Sequence, residues 1–178
     1  MKKLFLLSLL SFSLFFTACE SEEDDILPPP PKDPIVGTWV SEGMNIPLGL
    51  RMAPFRAKKI VATFNENKTY TAIQTDSANV NTTFTGTYQF TESTNTDTLS
   101  TTGTKGAKIF SITLNQASPS AVIAQGVFAI LGTNMTYEVI QTTPALTGVS
   151  APTAAGGFGS TTIAGARNPF FIQKYVKQ

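Results

Sequence analysis

The side chains that could perform chemistry are few, and one of them is unique. The chain has 178 residues with a single cysteine, Cys19, and no histidine. Nucleophilic catalysis by a Ser-His or Cys-His pair and zinc binding through imidazole both need the residue type that is missing. The thiol of Cys19 is therefore the group most able to react, and the sequence predicts no enzyme activity.

The acidic residues of the main body show no pairing that would indicate general acid and base catalysis. We expect them to be solvated at turns or on outer faces: Glu66, Asp76, Glu92, Asp97 and Glu138. The glycine-rich run at 156–159 lacks the Lys-Ser/Thr and the helix that follow a phosphate-binding loop. No cofactor and no metal site are predicted.

Residues 1–18 have the layout of a secretory signal peptide. Lys2 and Lys3 supply a positive start, residues 4–16 are almost entirely apolar, and small residues precede Cys19. The apolar run is shorter than the roughly 20 residues that a transmembrane helix needs. These features predict an exported chain.

The segment Phe16-Thr17-Ala18-Cys19 resembles the lipobox of bacterial lipoproteins, although its first position is more often Leu in that family. The resemblance implies cleavage after Ala18 and attachment of lipid to the sulfur of Cys19. Two or three acyl chains give a stable anchor, because each buried methylene contributes ~0.8 kcal/mol. The alternative is an ordinary secreted protein whose signal peptide happens to end near a cysteine.

Residues 19–33 have the composition of a tether. An acidic run at 20–25 cannot form a core, and four consecutive prolines at 28–31 form a stiff spacer. An acidic run directly after the lipidated cysteine resembles the surface-export signal of certain Gram-negative lipoproteins, and a plain solvated spacer is the alternative. We expect the protein to be lipid-anchored at the outer membrane or cell surface of a Gram-negative bacterium.

Residues 34–178 have the size of one domain with a real core, and their Phe, Thr, Val and Ile content favours strands. A loop at 43–56 is expected to cover one end of the fold, and the Gly/Ala/Thr/Pro-rich passage 142–166 is expected to be functional or mobile. Alternating or apolar runs predict strands at 34–40, 58–64, 69–75, 84–90, 97–101, 108–114, 122–131, 135–141 and 169–176. The pattern predicts an all-β fold, an antiparallel up-and-down barrel of about eight strands, with a β-sandwich as the alternative.

Three short motifs in order resemble bacterial lipocalin-like lipoprotein domains, which have a calycin-type barrel. They are Gly37-Thr38-Trp39, the strand-turn-strand 63–71, and Gly86-Thr87-Tyr88. The resemblance implies that Gly37 and Trp39 form a motif that plugs the closed end, and that the other end is open to a small apolar ligand. Lipocalins also place an Arg against this Trp, but Arg167 precedes the last strand and is not assigned that role. Trp39 could equally be simple core.

The aromatic residues of the predicted inner faces decide whether such a barrel holds a ligand. Five of them are the candidates to line a cavity, or else to fill the interior completely: Phe64, Phe84, Tyr88, Phe90 and Phe110. The sequence therefore predicts a cell-envelope lipoprotein that binds a small hydrophobic or amphipathic ligand, and that is monomeric without a nucleic acid partner. The alternative is a cavity-free surface module that binds protein or glycan.

The sequence contains two further surface features of possible functional interest, a basic cluster and two short acceptor-like motifs. The bases Arg51, Arg56, Lys58 and Lys59 could meet anionic headgroups, or could form a charged edge that discourages association between strands. Asp-Ser-Ala at 76–78 and Asp-Thr-Leu at 97–99 resemble an O-glycan acceptor motif of some bacteria, which makes Ser77 and Thr98 candidate glycosylation sites.

Overall fold

The computed structural model describes residues 33–178. The predicted signal peptide, Ala18, Cys19 and residues 20–32 of the predicted tether lie outside the described residues. Among residues 33–178, no helix is long and apolar enough to cross a membrane.

The described chain is built almost entirely from β-strands. It also contains one short α-helix, α1 (Leu48–Arg51), and two 3-10 turns, Gly43–Asn45 and Pro169–Phe171. The strands are β1 Gly37–Glu42, β2 Ala57–Phe64, β3 Thr69–Asp76, β4 Asn81–Thr96, β5 Lys108–Ser118, β6 Val122–Leu131, β7 Asn134–Thr143, β8 Val149–Ser150, β9 Thr162–Ile163, β10 Ala166–Arg167 and β11 Gln173–Lys177.

Eight of these strands form a closed antiparallel barrel. From β1 to β7 each strand pairs with its neighbour along the chain, and β11 closes the barrel between β7 and β1. The prediction of an all-β, up-and-down barrel of about eight strands is thereby confirmed, and the architecture is compatible with a lipocalin-like fold. The structure is therefore not the β-sandwich that was the alternative prediction. Strands β8, β9 and β10 make a separate small sheet.

The period-2 alternation of the strands builds the core inside the barrel. In β2 the side chains of Ile60, Ala62 and Phe64 are buried, and Trp39 of β1 lies opposite Ala62. Trp39 is fully buried together with Tyr88, Phe128 and Met135 of other strands. Burial of large apolar side chains inside a closed sheet therefore supplies the main core.

A second core lies on the outer surface of the barrel. Ile109 of β5 and Val127 of β6 point outward, and they are covered by Ala154 and Phe158 from the passage 142–166. Residues 149–167, most of them in this passage, also form the small sheet β8–β9–β10. The composition of the passage did not indicate that it would pack as an ordered outer layer.

Two predicted elements differ from the structure. Residues 91–95, which lie between two predicted strands, continue β4 to Thr96, and residues 97–101, predicted as a strand, begin a loop. The carboxylate of Asp97 accepts hydrogen bonds from the Leu99 amide and the Thr104 hydroxyl, so local bonding replaces a strand ladder. The last strand begins at Gln173 rather than at Pro169, because proline has no amide hydrogen for the ladder.

The two ends of the barrel differ. One end, the Trp39 end, contains the beginnings of β1, β3 and β7 and is filled by Trp39 and its neighbours. The other, the α1 end, carries the segment 43–56 and the 3-10 turn Pro169–Phe171, which contacts α1. Residues 43–56 were expected to cover one end of the fold, and they lie at the α1 end and contain α1.

Candidate functional site

A cavity of about 280 Å³ occupies the half of the barrel interior nearer the α1 end. Its walls come from β2, β3, β4, β5, β7 and β11, and the segment 43–56 contributes two side chains at the mouth. The lining residues are mostly aromatic or aliphatic: Leu50, Phe55, Ile60, Ala62, Phe64, Tyr70, Ala72, Gln74, Phe84, Leu114, Gln116, Tyr137 and Tyr175. A small apolar concavity with few polar groups is the usual form of a small-molecule site.

The Trp39 end of the interior is solid because aromatic rings fill it. Phe110 stacks on Phe128 with ring centroids 4.9 Å apart, and Phe90 meets both rings edge-on at 5.8 Å. Tyr88 meets Phe64 edge-on at 5.1 Å. These pairs have the geometry that aromatic quadrupoles favour. The unfilled part of the interior therefore lies at the α1 end.

Trp39 is fixed at the Trp39 end by two contacts. Its indole Nε1 donates a hydrogen bond to the carbonyl of Ile35 at 2.7 Å, and the ammonium of Lys177 lies 5.1 Å from its ring centroid. Lys177 stands opposite Trp39 in the β1–β11 pairing. A cation therefore faces this Trp from the last strand.

The mouth of the cavity is bordered by the segment 43–56. Leu50 of α1 and Phe55 both line the cavity, and Phe55 is half exposed. Helix α1 packs against the turn Pro169–Phe171, where Phe171 approaches Gly49. A ligand that enters from this end must therefore pass Phe55 and Leu50.

The polar atoms of the cavity wall belong to uncharged side chains. They are the amides of Gln74 and Gln116 and the hydroxyls of Tyr70, Tyr137 and Tyr175. Gln116 Nε2 donates to the carbonyl of Ser120 at 2.9 Å, which fixes the amide at the α1 end. The wall can exchange hydrogen bonds with a polar group, but it offers no counter-ion to a charged one.

Burial keeps the tyrosine hydroxyls of this region protonated. Loss of solvent raises the pKa of Tyr70, and it raises the pKa of Tyr137 well above the ordinary value, with added repulsion from Tyr175 and Tyr70. Burial raises the pKa of Tyr175 in the same way. These hydroxyls therefore remain neutral donors near neutral pH.

Near the α1 end, one buried polar atom of β1 and one of β11 have no hydrogen-bond partner in the described part of the chain. Ser41 Oγ and Gln173 Nε2 have no hydrogen-bond partner among the described residues. An unpaired buried polar atom costs about 1–3 kcal/mol, so the binding of a group that forms the missing hydrogen bond is favoured.

The five aromatic candidates separate into two groups. Phe64 and Phe84 line the cavity, whereas Tyr88, Phe90 and Phe110 pack in the aromatic cluster of the Trp39 end. Gly37 and Trp39 lie on β1, with Gly37 opposite Phe64 in the pairing with β2.

Sequence reasoning missed most of the wall. Tyr70, Tyr137 and Tyr175 were not singled out, and neither were Leu50 and Phe55 of the capping segment. The alternation of β7 and β11 places Tyr137 and Tyr175 on inner faces, a signal that could have found them.

Two of the acids expected to be solvated are buried, so that expectation is wrong for Asp97 and Glu138. Glu138 points outward from β7 and is covered by the passage 142–166, whose Gly159 and Thr161 amides donate to it at 2.6 and 3.2 Å. Burial raises the pKa of Glu138, and the hydrogen bonds from Thr161 and Gly159 and the charge of Arg167 oppose that rise. Both carboxylates organise loops on the outside of the barrel, far from any paired arrangement.

The candidate glycosylation sites are accessible in the structure. Ser77 lies in the turn between β3 and β4, and Thr98 lies in the loop after β4, and both side chains are exposed. Within residues 33–178 no group of three or more His, Cys, Asp or Glu residues is placed to hold a metal ion.

No protein-family profile, curated protein or solved structure matches this chain.

Proposed function

We propose that this protein is a cell-envelope lipoprotein whose barrel binds a small, uncharged, largely apolar molecule. The observation that carries the proposal is the cavity of about 280 Å³ with an aromatic wall and neutral polar atoms. If each non-hydrogen atom of a ligand takes about the volume of a water molecule, ~30 Å³, the cavity holds roughly nine such atoms. A medium-chain alcohol such as octanol fits that size and chemistry.

The neutral wall also predicts selectivity between ligands of equal length. Transfer of a carboxylate into a site without a counter-ion is costly, while a hydroxyl can bond to the amides or to the tyrosines. Octanol should therefore bind to the cavity and octanoate should bind at least ten times more weakly, a difference of about 1.4 kcal/mol. The proposal assigns no catalytic step to the chain.

The test uses the chain from residue 33 onward, the part that the structure describes. Titration calorimetry with octanol and octanoate is compared for the wild-type sequence and Ala72→Phe, which places a ring in the cavity. The matched control Thr71→Phe adds the same ring on the opposite face of β3. Octanol binding should be lost in Ala72→Phe and kept in Thr71→Phe. Equal binding by all three proteins would show that the cavity is not the site.

The anchoring part of the proposal concerns Cys19, Ala18 and the acidic run after them. Cells grown with labelled palmitate should incorporate label into the wild-type protein and not into Cys19→Ala. The protein should fractionate with the outer membrane or be accessible at the cell surface. Label on the Cys19→Ala protein would contradict acylation at that sulfur.

A second candidate function rests on a groove of about 440 Å³ on the outside of the barrel. Hydroxyl and amide side chains, including Ser111, Gln125 and Gln141, line the groove beside Leu146 and Pro152. Neutral polar groups of this kind suit a glycan or an extended peptide. Amide shifts of Gln125 and Gln141 upon glycan addition, without shifts around Ala72, would favour this function.

A further inference from the structure

The α1 end of the barrel exposes apolar side chains around the mouth of the cavity. Met44 is 81% exposed, Met52 is 58% exposed and Phe55 is 50% exposed. All three belong to the segment between β1 and β2. Large apolar side chains that are exposed together on one surface mark a contact with another apolar phase.

The same segment carries bases next to these side chains. Arg51, Arg56 and Lys58 line a surface groove of about 560 Å³ together with Met44 and Ser77. Arg51 Nη1 lies 3.1 Å from the sulfur of Met44, so a base and an exposed apolar side chain are in direct contact. We call Met44, Arg51, Met52, Phe55, Arg56 and Lys58 the rim surface.

The charges of the α1 end are not balanced by its acids. In the described part of the chain this end carries two acids, Glu42 and Asp76, against Arg51, Arg56, Lys58 and Lys59. Glu42 lies 3.9 Å from Lys59, and Asp76 accepts hydrogen bonds from the amides of its own turn. The three bases of the rim surface therefore present a net positive charge to solvent.

The Trp39 end differs in this respect. Two pairs of its acids and bases are in contact, Lys68 with Asp33 and Lys108 with Glu92. The three rim bases and the exposed apolar side chains thus lie at the same end of the barrel.

We propose that the rim surface docks on an anionic lipid bilayer, with the mouth of the barrel facing the membrane. The bases would meet lipid phosphates, and Met44, Met52 and Phe55 would enter the interfacial layer. Basic and apolar groups on one face are the combination that holds a protein in the plane of an anionic membrane. This contact is separate from the acyl anchor proposed above and does not require a ligand in the cavity.

Methionine oxidation in the full chain measures this contact directly. The purified full chain is bound to vesicles of phosphatidylcholine alone, or of phosphatidylcholine mixed with phosphatidylglycerol, and is exposed to dilute peroxide. Mass spectrometry follows Met44 and Met52, and the buried Met135 is the internal reference for an intact fold. We expect oxidation of Met44 and Met52 to slow on the anionic vesicles, and the protection to disappear at high salt.

Charge variants test whether the rim bases cause the protection. Each base near an anionic surface contributes about a factor of five, so Arg56→Gln/Lys58→Gln should lower the docked-to-undocked ratio by roughly 25-fold. The matched control Lys105→Gln/Lys108→Gln removes two bases at the Trp39 end and should keep the protection. Equal oxidation on both vesicle types, or equal loss of protection in both variants, would overturn the proposal.

Discussion

Glu138 ties the passage 142–166 to the barrel through hydrogen bonds. Its buried carboxylate accepts hydrogen bonds from the amides of Gly159 and Thr161 and from the Thr161 hydroxyl. Because the donors come from the passage and the acceptor from β7, the bonds join the outer layer to the sheet. Removal of the carboxylate would leave the buried amide of Thr161 and the half-buried amide of Gly159 without an acceptor.

Glu138→Ala should therefore destabilise the protein by roughly 2–5 kcal/mol, since each unsatisfied buried donor costs about 1–3 kcal/mol. Urea unfolding measures the loss, and hydrogen exchange should accelerate at Gly159 and Thr161. The control Glu66→Ala removes an exposed turn carboxyl and should change stability little. Equal effects of the two substitutions would contradict this role of Glu138.

The buried tyrosines predict loss of stability at alkaline pH. Burial, with a smaller effect of Asp33, raises the pKa of Tyr88 to about 12, and burial also raises the pKa of Tyr137 above the ordinary 10.0. Between the two pKa values the folded protein keeps protons that the unfolded chain loses. The free energy of unfolding should therefore fall as pH rises above about 10, by about 1.4 kcal/mol per pH unit for each such tyrosine.

Urea unfolding at a series of alkaline pH values measures that slope. Tyr137→Phe removes one titrating hydroxyl and should lower the slope by about one proton. Appearance of tyrosinate absorbance near pH 10 for all tyrosines of the folded protein would contradict the raised pKa values.

At the scale of elements, Gly126 controls how closely β6 and β7 approach. A Cβ at this position would lie 2.0 Å from the carbonyl oxygen of Glu138, which belongs to the backbone and cannot move aside alone. Glycine in a strand interior often marks such a close backbone approach.

Gly126→Ala should destabilise the barrel by about 2 kcal/mol or more, because it forces the two strands apart. The control is Gly49→Ala in α1, where the nearest atom, on Phe171, would lie 3.5 Å from the new Cβ. Alanine is the better helix former, so this variant should be as stable as the wild type or slightly more stable. Thermal unfolding of both variants gives the comparison, and a stable Gly126→Ala would show that β6 and β7 can separate freely.

The barrel strands could be predicted because their patterns are local. Ile60, Ala62 and Phe64 alternate with outward residues, and the turn at 65–68 fixes the hairpin of β2 and β3. The loop 97–107 and the passage 142–166 could not be predicted in the same way. Glu138 orders the passage through donors that lie 21 and 23 residues further along the chain, and the loop is joined to β7 by the hydrogen bond between Thr104 and Thr136. Nothing in the composition of glycine-rich or threonine-rich segments shows which carboxylate will be buried.

The sequence predicted that the barrel interior could hold an apolar cavity, but not most of the residues that line it. A barrel of eight strands has an interior that side chains can fill or leave open, and the outcome depends on residue volumes at facing positions. Three aromatic rings meet at the Trp39 end, where Phe128 completes the cluster of Phe90 and Phe110. The small side chains of Ala62 and Ala72 leave space at the other end. Pairing register decides which residues face each other, and the sequence does not give it across the whole barrel.

For the whole molecule, closure of the barrel depends on a short seam. The pairing of β1 with β11 joins Trp39 to Lys177 and Val40 to Val176, whereas β4 and β5 pair over most of their lengths. The seam also brings together residues that are distant in sequence, and such pairings form at high cost in chain entropy. We expect it to be the first part of the barrel to open.

This expectation leads to a prediction that links stability to ligand binding. Hydrogen exchange at residues 38–40 and 176–178 should be faster than in β5 and β6, because opening of the seam requires less than global unfolding. Tyr175 of β11 lines the cavity, so a molecule held there contacts the closing strand. Octanol at 100 times its dissociation constant should stabilise the closed state by about 2.7 kcal/mol and slow exchange at the seam. Ala72→Phe should show no such slowing, while Thr71→Phe should behave as the wild type. If octanol slows exchange equally in both variants, the ligand acts away from the cavity, and closure of the barrel is independent of its contents.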